Sequence, residues 1–80
     1  MTSRPRDVPR DRVLKTLASL GYEVVRVGNH ISLSRTLPDG RQATLTLPNH
    51  RLIKGATLRR ACTLSGIDRN DFLRAYDRTR

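Results

Sequence analysis

The spacing of apolar positions along this chain of 80 residues shifts between helical and strand periods, and each shift marks an element. Val13, Leu14, Leu17 and Leu20 fall at i, i+1, i+4 and i+7, one stripe of a short helix. Asp7 suits its N-cap, Pro9 its first turn, and Gly21 a left-handed stop, which predicts a helix over about 9–20. Tyr22 to Val27 is rich in β-branched residues and predicts a strand. Gly28-Asn29 reads as a two-residue hairpin turn in which both residues tolerate positive φ. His30 to Arg35 then alternates. Period two places His30, Ser32 and Ser34 on one face and Ile31 and Leu33 on the other. Leu37-Pro38-Asp39-Gly40 is a turn signal. Gln42 to Leu47 alternates again, with Ala43, Leu45 and Leu47 facing inward and Gln42, Thr44 and Thr46 outward.

Pro48 closes that strand, and Pro48 to Gly55 reads as a basic loop containing His50. Leu58, Ala61, Cys62 and Ser65 share one face of a helix over about 56–64, which Gly66 stops. Asp68 is placed to cap a last short helix whose apolar side is Phe72, Ala75 and Tyr76. The expected fold class is α+β: α-β-β-β-α with a three-stranded antiparallel sheet and a short C-terminal helix. A chain of this length allows one small domain with a thin core. The expected division is a flexible tail over 1–7, a single domain over 8–77 and a basic tail over 78–80.

Charge narrows the class of partner. Sixteen Lys and Arg face seven Asp and Glu, for a net charge of +9, and 14 of the 16 cations are arginine. From Val24 to Ile67 the cations Arg26, Arg35, Arg41, Arg51, Lys54, Arg59 and Arg60 meet a single acid, Asp39. Arginine suits bidentate contact with phosphate, so a nucleic acid is the expected partner. No helix combines a basic face with a wide, bulky apolar one, which disfavours a membrane surface. No apolar run is long enough for a signal sequence or a membrane span. Cys62 is the sole cysteine and has no partner for a disulfide or a metal site, which fits a reducing, cytoplasmic setting. It reads as a small packed hydrophobe rather than a nucleophile.

Several short motifs resemble one family. Gly28-Asn29-His30 resembles the G-S-H motif of HicA toxin ribonucleases, with Asn29 in place of serine. Leu47-Pro48-Asn49-His50 resembles their V-P-x-H segment. Lys54-Gly55-Ala56-Thr57-Leu58-Arg59 resembles K-x-G-T-L-R, with Ala56 separating glycine from threonine. The Pro38 to Arg41 turn is also similar. The resemblance spans about 12–72, and motifs in the right order carry more than any one alone. It implies a double-stranded-RNA-binding-like fold and cleavage of mRNA without metal or cofactor. It also implies His30 as the catalytic residue, and a HicB-like antitoxin protein as the partner that covers the active surface.

The residues themselves are compatible with that chemistry. Histidine titrates near neutrality and can take or give a proton. RNA carries its own nucleophile, the 2′-hydroxyl. Arg26, Asn29, Ser32, Arg51, Lys54, Arg59 and Arg60 are the candidate RNA-binding residues. His50 is either a second acid or a residue that shapes its loop. Two alternatives keep the fold and the charge. One is a non-catalytic module reading double-stranded RNA by shape. The other is a basic protein that binds only an acidic partner, with His30 a surface residue of a hairpin. A single-strand stacking platform is disfavoured, because Tyr22, Phe72 and Tyr76 are the only aromatics besides histidine.

Overall fold

The computed structural model describes residues 7–79. The expected tail positions 1–6 and Arg80 lie outside the described residues. The elements, in chain order, are β1 (Val8–Pro9), α1 (Arg10–Ser19), β2 (Glu23–Val27), β3 (His30–Thr36), β4 (Gln42–Pro48), β5 (Leu52–Ile53), α2 (Gly55–Ser65) and α3 (Arg69–Arg78). β2, β3 and β4 form the expected antiparallel meander, with β3 in the middle. β1 and β5 form a separate two-stranded ladder.

The alternation in β3 and β4 decides which face is buried. Ile31, Leu33, Leu45 and Leu47 point to one side, where Val13, Leu17, Tyr22, Ile53, Leu58, Cys62 and Phe72 meet them. Leu47, Leu17, Val13 and Ile53 are wholly buried, and each such side chain contributes about 1.5–3 kcal/mol by leaving water. Helix α2 lies against β4, and α3 lies against α1. Arg12 fastens the second pair: its guanidinium sits 3.7 Å from the centre of the Tyr76 ring and donates to the Tyr76 carbonyl at 2.8 Å. Tyr22 and Ser65 share a hydroxyl hydrogen bond of 2.6 Å that ties the start of the sheet to the end of α2.

The helix ends follow local chemistry. Gly21 (φ +96°) and Gly66 (φ +80°) turn the chain out of α1 and α2 in the left-handed region that a side chain disfavours. Asp68 caps α3 by accepting from the Asp71 N–H at 3.2 Å. The start of α1 departs from expectation. Pro9, not Asp7, is its N-cap, and no side chain caps it. The cause is β1, which pairs Val8 with Ile53 and Pro9 with Leu52 and so delays the helix to Arg10. The Arg10 N–H is satisfied instead by the Arg51 carbonyl at 2.9 Å. Two-residue strands carry no readable period, which is why Pro48 to Gly55 was expected to be all loop.

Candidate active site

The second face of the meander is open to solvent. His30, Ser32 and Ser34 lie along it as the alternation requires, opposite Pro48, Thr46 and Thr44. Hydrogen bonds from Ser34 to Gln42 (2.7 Å) and from Gln42 to Thr36 (3.0 Å) bind its far end. At the near end, a surface hollow of about 320 Å³ is lined by Arg26, Gly28, Asn29, His30 and Ser32.

Arg26 reaches this face through an irregularity. Strict alternation from Glu23, which pairs with Ser34 on the open face, would send Arg26 to the core side. Instead Val24 pairs with Leu33 and Arg26 with Ser32, leaving Val25 as an extra, unpaired residue. A β-bulge of this kind re-aims the side chains beyond it. It carries Arg26 to the face that holds Ser32 and His30. The run Val24-Val25-Arg26-Val27 shows no alternation that would reveal the flip, so the strand was legible and the placement of its arginine was not.

The turn also differs from a two-residue hairpin. Val27 pairs with Ile31, so Gly28, Asn29 and His30 together make the connection. Neither Gly28 nor Asn29 has positive φ. The Gly28 N–H donates to the His30 carbonyl at 3.0 Å. The turn is also tethered from outside, by the residue that follows β4. The Asn49 N–H donates to the Asn29 carbonyl at 3.0 Å, and the Asn49 side-chain amide donates to the Gly28 carbonyl at 2.9 Å. The Asn49 side-chain oxygen accepts from Arg10 at 2.9 Å. Neither Asn49 nor Arg10 stood out as a site residue in the sequence. Asn49 occupies the variable position of the Pro48-Asn49-His50 motif, and its partner lies 39 residues away.

The remaining basic candidates are spread out. Arg51, Lys54, Arg59 and Arg60 are exposed and do not line the His30 hollow. Lys54 is the N-cap residue of α2. Arg59 lines a second, apolar hollow between α2 and α3. His50 is exposed and also lies outside the residues lining the first hollow. Cys62 is packed in the core, and burial pushes its thiol up to about 11. It is therefore a protonated, packed thiol at neutral pH, in keeping with its reading as a hydrophobe. Among the described residues no three His, Cys, Asp or Glu side chains group as metal ligands. None of their helices is long and apolar enough to cross a membrane.

The protein is thus a small basic α+β domain whose open sheet face gathers a histidine, an arginine and a serine beside a pinned turn. The family model described as HicA toxin of bacterial toxin-antitoxin matches residues 10–67, more than half of the chain. The chain belongs to the HicA family and is a toxin of a toxin–antitoxin system. The match takes in the meander, the His30 turn and α2, while α3 lies beyond it. No curated protein and no solved structure matches the chain.

Proposed function

We propose that this toxin is an endoribonuclease that cleaves mRNA by in-line attack of the substrate's own 2′-hydroxyl, with His30 as the acid/base group. The observation that carries the reading is the grouping of His30, Arg26, Asn29 and Ser32 around one open hollow. His30 accepts the 2′-hydroxyl proton as the oxygen attacks phosphorus. The bond to the 5′-oxygen breaks, leaving a 2′,3′-cyclic phosphate on one fragment and, once that oxygen is protonated, a 5′-hydroxyl on the other. Arg26 faces the phosphate and offsets the charge that builds on its oxygens, the task that positioned cations perform in phosphoryl chemistry. Ser32 and the amide of Asn29 supply hydrogen bonds at the same hollow. Arg51, Lys54, Arg59 and Arg60 add general attraction for the polyanion. No metal or cofactor is assigned a part.

The partner in this reading is a HicB-like antitoxin that places acidic groups over the His30 face. The net charge of +9 supports an acidic complement. Co-expression with the product of the adjacent gene should yield a stable pair that no longer cleaves RNA. A complex in which the His30 face still accepts RNA would refute the masking, though not the toxin assignment.

The decisive assay incubates purified protein with RNA in EDTA. Cleavage should persist, and His30→Ala should lower it by about 10²–10⁴-fold, the usual worth of general acid–base help. RNA carrying hydrogen in place of the 2′-hydroxyl should bind and remain whole. If His30→Ala cleaves at the wild-type rate, the assignment fails and the non-catalytic RNA-binding alternative takes its place.

A further inference from the structure

We infer that Asn49 is a positioning residue for the reaction proposed above, held in orientation by Arg10; the inference rests on His30 being the acid/base group. A catalytic histidine on a short turn at the end of a sheet needs something to hold that turn. Val27, on the strand leading into it, is 66% exposed and gives little packing there. Support comes instead from the residue that follows β4. Pro48 lies opposite His30 and has no N–H to offer. The ladder continues one residue further, where the Asn49 N–H reaches the Asn29 carbonyl at 3.0 Å. The Asn49 side chain adds a second tether, to the Gly28 carbonyl at 2.9 Å. The carbonyls of both residues preceding His30 are therefore held by one residue just beyond the end of β4.

The chemistry of the two side-chain partners requires an amide. The Gly28 carbonyl can only accept, so it must meet an N–H. The Arg10 guanidinium can only donate, so it must meet an oxygen. Asparagine offers both on one short, planar group, and these partners fix which way round it lies. Aspartate has the same shape but would set an oxygen against the Gly28 carbonyl. Arg10 is itself brought into place by the β1–β5 ladder, which its N–H extends through the Arg51 carbonyl at 2.9 Å. The small ladder that sequence periodicity missed thus has a use: it anchors the residue that orients Asn49.

The test compares wild type, Asn49→Asp, Asn49→Ala and Arg10→Ala in single-turnover cleavage at saturating RNA. Affinity for the uncleavable 2′-deoxy form is measured in parallel, and folding is checked by thermal unfolding. Asn49→Asp and Asn49→Ala should each lower the cleavage rate constant on the order of 10²-fold, as expected when a reacting group is displaced by about 1 Å. Affinity for the 2′-deoxy RNA should hold, because Arg26 and the outlying cations are untouched. Arg10→Ala should cause a smaller loss of the same kind, since the amide still reaches Gly28 but is no longer fixed in orientation. Should Asn49→Ala fold poorly, the near-isosteric Asn49→Asp and the change Arg10→Ala at a part-buried arginine carry the test. A residue that merely fills space predicts that Asn49→Asp behaves as wild type. That outcome, with His30→Ala inactive, would overturn the positioning role and leave the catalytic reading standing. Loss of rate and of affinity in equal proportion would overturn it as well. Full activity in His30→Ala would instead sink the catalytic reading beneath it.

Discussion

Two hollows on this molecule invite comparison. One, beside the β2–β3 turn, is lined by Arg26, Gly28, Asn29, His30 and Ser32. The other, of about 290 Å³ between α2 and α3, has Leu58, Cys62, Phe72 and Leu73 along its wall, with Arg59 and Arg69 beside them. Both offer arginine, so arginine cannot be what distinguishes a site in a chain this basic. The difference lies in the titratable group each contains. His30 is exposed among polar neighbours. Cys62 is packed against apolar side chains, and burial holds its thiol protonated. The two regions also differ in how their backbones are fixed. Hydrogen bonds from Asn49, just beyond β4, tether the His30 turn, whereas the helical hollow is held by side-chain packing and the cap at Asp68.

The largest effect that should separate them is on catalysis. His30→Ala should reduce RNA cleavage by about 10²–10⁴-fold, while Leu73→Ala, a half-exposed change in the second hollow, should leave the rate unchanged. Equal losses in a gel-based cleavage assay would erase the distinction. Binding should divide in the same way but less steeply. Arg26→Ala should reduce the slope of log affinity against log salt by about one, the signature of one lost phosphate contact. Arg59→Ala, made on the other side of the molecule's chemistry, should change the slope less. A larger change from Arg59 would move the RNA path toward α2.

The same contrast marks how far the sequence could be read. The meander was legible because His30–Arg35 and Gln42–Leu47 alternate cleanly and bury one face. The histidine's exposure followed from that alternation alone. The neighbours of His30 were harder. Arg26 joins it only because Val25 bulges, and four residues of nearly uniform character cannot show where an extra one sits. Asn49 joins it through hydrogen bonds to the backbone of a turn 20 residues earlier, and such bonds leave no periodic trace. The Asp7 cap failed for a related reason: pairing between Val8–Pro9 and Leu52–Ile53 is a contact distant in sequence that outweighs a favourable local signal. Local pattern marked the long elements, while a bulge and contacts distant in sequence placed the neighbours of His30.

A moderate effect on stability should appear at the far end of the helical hollow. Asp68→Ala removes the acceptor for the Asp71 N–H and should cost about 1 kcal/mol. Urea unfolding should show this as a lower midpoint with an unchanged slope, and cleavage per folded molecule should be preserved. A loss of activity in the folded variant would mean that α3 bears on the sheet face, against the separation of the two hollows.

The smallest expected effect concerns Cys62 and high pH. Its thiol is raised from 9.0 to about 11 by burial. The folded state therefore keeps its proton where the unfolded chain has begun to lose it. Between those values the unfolded state binds fewer protons, so the contribution of this group to stability falls as pH rises from about 9 toward 11. Below pH 8 both states are protonated and the group contributes no pH dependence. Tyrosine and lysine titrate in the same range, so the effect must be read as a difference. The loss of thermal stability from pH 8 to pH 10.5 should be smaller in Cys62→Ala than in wild type, even though the variant starts lower for want of the packed sulfur. Thiol reagents should likewise react slowly with the native protein at pH 8 and rapidly after unfolding. If the two proteins lose stability in parallel, or if the native thiol reacts at the unfolded rate, Cys62 is open to solvent. The second hollow would then no longer contrast with the first in the accessibility of its titratable group.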